Sequence, residues 1–144
     1  MGFFFSKPKK SKRNQEQPKV SVNDKDMAVA KVMVLRDRAS NKIKQTYKDE
    51  EKLKRQAMEL SKAGKKEEAL FKVRQVKRIR ESRTKLNTQV EFMEKQIGNI
   101  ESAMDDVAFT DALKDSNRAL EKLQKEINLE EIEIAKELNA EGQI

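Results

Sequence analysis

The sequence contains no cysteine and no histidine, and only two prolines and four glycines in 144 residues. Without cysteine there is no disulfide, no thiolate zinc site and no thiol nucleophile. Without histidine the chain lacks the commonest general base and the commonest metal ligand. No apolar run reaches the roughly 18 to 20 residues that a membrane span requires. These absences predict a protein that is not an enzyme and that holds no metal and no cofactor.

Charged residues make up 40% of the chain and hydrophobic residues 36%, a balance typical of long amphipathic helices. Residues 1–90 contain 26 Lys and Arg against 11 Asp and Glu, whereas residues 91–144 contain 6 against 14. The basic first part points to an anionic partner, although the same charges also solvate long helices. Nucleic acid is the less favoured partner, because Tyr47 and Phe71 are isolated and form no stacking platform.

A first long helix is predicted after a cap signal at Ser21 or Asn23, because no proline or glycine interrupts the chain from there to Lys62. Apolar residues recur at helical spacing along it, with Thr46 and Glu50 as polar interruptions. The apolar stripe consists of Ala28, Val32, Leu35, Ala39, Ile43, Leu53, Ala57 and Leu60, and the opposite side holds Lys44, Lys48, Lys52, Arg55 and Lys62.

A second helix is predicted over residues 67–107, after a break at Gly64 that fits the left-handed end of a helix. Apolar residues in its later half alternate in steps of four and three, which is the spacing of a heptad seam. The seam residues are Leu86, Val90, Met93, Ile97, Ile100, Met104 and Val107. Neither helix buries its stripe alone, so the short turn predicts an antiparallel hairpin.

The chain after Val107 has a new apolar spacing that begins at Phe109, and Asn128 with Glu131 resembles a capping box that opens a short acidic helix through Leu138. The predicted fold is therefore all-α and elongated: a long antiparallel hairpin followed by shorter helices. We divide the chain into a flexible basic membrane-anchoring arm (1–20), the basic hairpin (21–107) and shorter acidic helices (108–144).

The N-terminus fits the pattern for N-myristoylation, with Gly2 as the acyl acceptor and Ser6 at the sixth position. One acyl chain binds membranes only marginally, so a second signal is expected. A nuclear-localisation or nucleic-acid patch is the alternative interpretation of the basic cluster. We predict that the arm binds an anionic membrane through Phe3, Phe4, Phe5, Lys7, Lys9, Lys10, Lys12 and Arg13.

Several segments together resemble the ESCRT-III family of membrane-remodelling proteins. They are the basic hairpin, its corner at residues 63–70, the basic stretch at 74–83, the segment 100–123, and residues 127–132, which look like the start of the family's fourth helix. The N-terminal Met-Gly with Phe5 and the basic run looks most like the family's myristoylated nucleating subunit.

The resemblance implies a subunit that nucleates or joins a membrane-remodelling filament in endosomal sorting, located in the cytoplasm and peripheral on endosomal membranes. It implies ESCRT-II and other ESCRT-III subunits as partners, together with self-association. Two alternatives remain: a polymerising subunit whose unlipidated N-terminus inserts, or a basic coiled-coil scaffold that binds nucleic acid.

Family members usually continue with further acidic helices that fold back on the hairpin and bind a disassembling AAA ATPase. This sequence ends soon after Leu138, so either it is a fragment or its autoinhibition and ATPase docking are reduced. We also expect the helices beyond Val107 to extend away from the hairpin or to dock loosely, which would leave the seam of the second helix open.

Overall fold

The computed structural model describes residues 22–139 and contains three α-helices in that range: α1 (Val22–Lys62), α2 (Lys66–Glu101) and α3 (Asp106–Asn139). The first two form an antiparallel hairpin, and α3 packs back along it, mainly against α2. At about 1.5 Å per residue, α1 is roughly 60 Å long. The all-α fold and the hairpin predicted from the sequence are confirmed.

The turn of the hairpin follows from Gly64, whose φ of 81° lies in the left-handed region that favours glycine. The Lys65 N–H donates to the Leu60 carbonyl at 2.9 Å, and the Gly64 N–H donates to the Ser61 carbonyl at 3.1 Å. These two bonds form a Schellman motif, which satisfies the last carbonyls of α1. The predicted helix end at Gly64 is confirmed.

The core of the hairpin contains the two predicted apolar stripes. From α1 it buries Ala28, Val32, Leu35 and Ala39, and from α2 it buries Leu86, Met93, Ile97 and Ile100. Val90 is half-buried against the same cluster. Thr46 and Glu50, the two polar interruptions of the α1 stripe, are also buried. The contact between α1 and α2 therefore has a polar section between apolar ones.

The end of α2 differs from the prediction, because the helix stops at Glu101 rather than at Val107. Met104 and Val107, assigned to the seam from the sequence, are 92% and 65% exposed. The Asp105 carboxylate accepts a hydrogen bond from the Ala108 N–H at 2.7 Å and so caps a new helix. The hairpin thus ends six residues before the predicted boundary.

The C-terminal part also differs, because α3 is one continuous helix and not a series of shorter ones. Asn128 lies inside it, where its Oδ1 accepts a hydrogen bond from Arg38 Nη2 at 2.7 Å. The Asn128–Glu131 spacing that resembled a capping box instead places two side chains beside one arginine of α1.

The expectation that this part extends away from the hairpin is wrong. Phe109, Leu123, Ile127 and Ile134 of α3 are buried in the same core cluster as the hairpin residues. Leu86, Met93 and Ile100 of the α2 seam are fully covered. Exposed ion pairs contribute only about 0–1 kcal/mol each. One fully buried isoleucine contributes about 1.5–3 kcal/mol, so the apolar stripe of α3 outweighs them.

Candidate interaction surfaces

A buried carboxylate, Glu50, joins α1 to α2 in the middle of the hairpin. Its Oε2 accepts hydrogen bonds from Arg80 Nε and Nη2 at 3.1 and 2.8 Å. Its Oε1 lies 2.8 Å from Arg83 Nη2, and Lys54 Nζ lies 3.0 Å from Oε2. Arg80 and Arg83 belong to α2 and fix the lateral alignment of the two helices at this point, whereas Lys54 lies one turn from Glu50 on α1.

The surrounding cations lower the pKa of Glu50 from 4.5 to about 2, chiefly through the hydrogen bonds from Arg80. Arg83, which is itself buried, also stacks on the Tyr47 ring, with its Cζ 3.9 Å from the ring centroid. Without Glu50, the buried guanidinium of Arg83 would lack a counter-charge, which is strongly unfavourable. The cluster of Glu50 with Arg80, Arg83 and Lys54 therefore holds α1 against α2, and we call it the polar joint of the hairpin.

Arg38 of α1 holds the side of α3 that faces it. Its Nε and Nη2 donate to the two oxygens of Glu131 at 3.2 and 2.6 Å, and Nη2 also reaches Asn128. This two-point contact raises the pKa of Arg38, mainly through the hydrogen bonds to Glu131. The arginine side chain remains 40% exposed, so the pair is accessible to water and to salt.

Contacts from α2 hold the opposite side of α3. Arg78 Nη1 donates to both carboxylate oxygens of Glu137 at 3.0 and 3.2 Å, and Gln75 donates to the Glu137 carbonyl. Lys85 Nζ lies 3.9 Å from Glu130. Three acidic side chains of α3, those of Glu130, Glu131 and Glu137, thus pair with basic side chains of the hairpin, as the uneven charge of the sequence allows.

The basic side of α1 is exposed as predicted: Lys44, Lys48, Lys52, Arg55 and Lys62 all face solvent. Near the turn, a groove of about 780 Å³ opens between α1 and α2. Its apolar walls include Met58, Leu70 and Val73, each more than half exposed. Within residues 22–139, α3 does not reach this groove, since its last turn lies beside Leu53 and Gln56.

The residues predicted to anchor the chain to a membrane lie outside the described residues. These are Gly2, Phe3, Phe4, Phe5, Lys7, Lys9, Lys10, Lys12 and Arg13. Of the predicted seam, Leu86, Met93, Ile97 and Ile100 are buried, Val90 is half-buried, and Met104 and Val107 are exposed.

Sequence reasoning missed the roles of Glu50, Arg83 and Arg38. A signal for Glu50 was present, because a glutamate that interrupts a buried stripe requires a cationic partner. The identity of that partner depends on the alignment of α1 with α2, which helical periodicity alone does not give. For Arg38, nothing in the local sequence distinguishes it from the exposed bases around it.

Among the described residues, no helix is long and apolar enough to cross a membrane. The same part of the chain contains no group of three or more acidic side chains arranged to hold a metal ion.

Comparison with known proteins places this arrangement in a family. The family model described as Snf7 matches residues 28–141, which takes in the whole of α3 and all but the first turns of the hairpin. The charged multivesicular body protein 6 of Dictyostelium discoideum is 31% identical over 142 residues, covering 99% of this chain and 61% of the relative. The chain therefore spans about three fifths of that relative's length. No solved structure matches significantly. The resemblance noted from the sequence is confirmed: the chain belongs to the Snf7 family, the ESCRT-III proteins.

Proposed function

We propose that this chain is a membrane-anchored ESCRT-III subunit that nucleates or joins a membrane-remodelling filament in endosomal sorting, and that it catalyses no reaction. The observation that supports this most directly is family membership over residues 28–141. The name of the relative, charged multivesicular body protein 6, supports the assignment to multivesicular body formation.

The proposed anchor is the N-terminal arm, with Gly2 acylated and the phenylalanines and bases of residues 3–13 in contact with lipid. The exposed bases of α1 extend the cationic surface beyond the arm. Each base close to an anionic leaflet contributes about 1 kcal/mol, which is the second signal that a single acyl chain needs. Other ESCRT-III subunits and ESCRT-II are the proposed partners, on the cytoplasmic side of endosomal membranes.

Vesicle sedimentation tests the anchor. The full chain, produced together with an N-myristoyltransferase and checked by mass spectrometry, is mixed with vesicles of phosphatidylcholine alone or with added phosphatidylserine. We expect binding to the anionic vesicles, a large loss in Gly2→Ala, and a loss specific to anionic vesicles when Lys7, Lys9, Lys10, Lys12 and Arg13 become alanine. Equal losses on both vesicle types, or no adduct on Gly2, would contradict the anchor.

A nucleation assay tests the filament role. The acylated chain on vesicles should shorten the lag before a purified polymerising ESCRT-III subunit assembles there, whereas Gly2→Ala should not. An unchanged lag with the wild-type chain would remove the nucleating role. Tight binding to single-stranded RNA in place of vesicles would instead favour a nucleic-acid scaffold.

A further inference from the structure

The sequence of α3 is acidic, and contacts with the hairpin take up part of this negative charge. The acids Glu126, Glu130, Glu131 and Glu137 all contact side chains of the hairpin. The outward side of α3 is different. At about 100° per residue it presents one continuous stripe, which we name the outer stripe. Its exposed members are Val107, Lys114, Arg118, Lys125, Leu129, Ile132 and Lys136, with the acids Asp111 and Glu121 at its two edges.

The apolar members of the outer stripe lie between its bases. Leu129 is 60% exposed and Ile132 is 50% exposed, and the stripe places Lys125 before them and Lys136 after them. Large apolar side chains flanked by lysines are typical of a helix that lies in a membrane interface, where the long lysine stems keep the ammonium groups at the headgroups.

The bases of the outer stripe are available to an external anion. Among residues 22–139, Arg118 and Lys136 have only local pairs, to Asp115 at 3.6 Å and Glu133 at 3.9 Å, and their side chains are 76% and 73% exposed. Such pairs contribute little. Lys114 and Lys125 have no ion pair with any residue of the range 22–139.

The C-terminal end of α3 lies close to the basic side of α1. Lys52 of α1 lines a crevice with Leu138 and Asn139, the last described residues of α3. Lys48 and Lys52 occupy the side of α1 that faces away from α2. An exposed helix stripe with bases around large apolar side chains matches a flat anionic bilayer better than it matches a single helix, which needs a groove.

We infer that the outer stripe of α3 is a second membrane-contact surface, which lies on anionic lipid while α3 remains packed on the hairpin. This inference rests on the proposed function, because the arm brings the chain to the membrane. A direct lipid contact would thus lie in α3, within the part of the sequence where acidic residues outnumber basic ones.

A fluorophore placed on the stripe tests this inference. Because the chain has no cysteine, Ile132→Cys gives one attachment point for an environment-sensitive dye. Asn87→Cys, exposed on α2, is the matched control. With phosphatidylcholine/phosphatidylserine vesicles we expect a blue shift and protection from an aqueous quencher at position 132 and neither effect at position 87.

Sedimentation of the same labelled samples separates this inference from the proposed function. If the protein sediments with vesicles while the dye at position 132 stays in water, the stripe is not a lipid contact and the arm alone anchors the chain. That result would overturn the inference and leave the proposed function intact. An acidic protein partner would then be the occupant to test. No sedimentation at all would contradict both.

A charge-reversal pair provides an independent check. Lys125→Glu with Lys136→Glu should weaken binding to the anionic vesicles on the order of tenfold or more. Lys77→Glu with Lys95→Glu changes the net charge equally, but these exposed residues lie on the side of α2 turned away from α1 and α3. Equal weakening by the two pairs would show that only net charge matters and would contradict a contact at the stripe.

Discussion

The two contacts that α2 makes, with α1 and with α3, are built differently. Between α1 and α2 the contact includes fully buried side chains such as Val32, Ile79 and Leu86, and its polar section contains the buried Glu50–Arg83 pair. Between the hairpin and α3, only Ser116, Ile127 and Ile134 of α3 are fully buried, and the ion pairs involve bases that are 40–67% exposed.

This difference means that salt and solvent act unequally on the two contacts. Buried pairs are screened weakly, whereas exposed pairs weaken as ionic strength rises. The hairpin is thus expected to be the permanent framework of the molecule. The contact of α3 with the hairpin, which we call the dock of α3, is expected to be the weaker one, because it buries few side chains fully and its charges are reached by water.

The largest effect is expected in the hairpin seam. Leu86→Ala removes a fully buried side chain and should lower the free energy of unfolding by about 3 kcal/mol. Urea denaturation followed by far-ultraviolet circular dichroism measures it. Val73→Ala, at a position 53% exposed, is the control and should change the value by no more than about 0.5 kcal/mol. Similar values for both would mean that the seam does not hold the hairpin.

A smaller effect is expected at the polar joint. Glu50→Gln keeps the shape but removes the charge that Arg83 faces, and should cost about 1–3 kcal/mol. Glu51→Gln, the exposed neighbour, serves as the control in the same denaturation experiment. If both substitutions proved neutral, the cluster would be no more than a surface pair.

The free energy of unfolding should depend on pH through the same polar joint. Because the folded pKa of Glu50 is lowered from 4.5 to about 2, its ionised form stabilises the fold above the unfolded pKa, and this contribution is lost as the pH falls through that interval. The stability difference between the wild type and Glu50→Gln should be constant above pH about 5 and should shrink toward pH 2. A difference that stays constant down to that pH would contradict the lowered pKa.

The smallest effect is expected at the dock of α3. Arg38→Gln removes the pair with Glu131, but the arginine is 40% exposed, so the loss should be at most about 1 kcal/mol and should vanish at high salt. Hydrogen exchange of α3 amides at low and high salt measures it. A loss well above about 2 kcal/mol, independent of salt, would place this pair among the buried joints.

The hairpin could be predicted from the sequence because its signals are local and redundant. Two long stripes at helical spacing and one glycine at the turn fix the pairing of α1 with α2. Glu50 was visible as an interruption of the stripe, but its partners Arg80 and Arg83 lie 30 and 33 positions further along the chain. Only the relative alignment of two helices brings them together, and periodicity does not specify that alignment.

The errors in the C-terminal part have a common physical cause. Asp, Asn and Glu serve both as helix caps and as partners for distant bases. At Asp105 a cap interrupts a heptad spacing that continues through Met104 and Val107, so the spacing gave the wrong helix end. At Asn128 and Glu131 the reverse occurs, because the spacing of a cap conceals a contact with Arg38. A single sequence does not distinguish the two uses.

Native-state hydrogen exchange tests the central contrast most directly, because it measures the opening free energy of each helix in one intact molecule. We expect the amides of α3 to open at a lower free energy than those of the α2 segment from Ile79 to Ile97. We also expect the opening free energy of α3 to fall with added salt while that of the α2 segment stays constant. One common opening free energy for all three helices, with one common response to salt, would contradict the division into a permanent hairpin and a weaker dock.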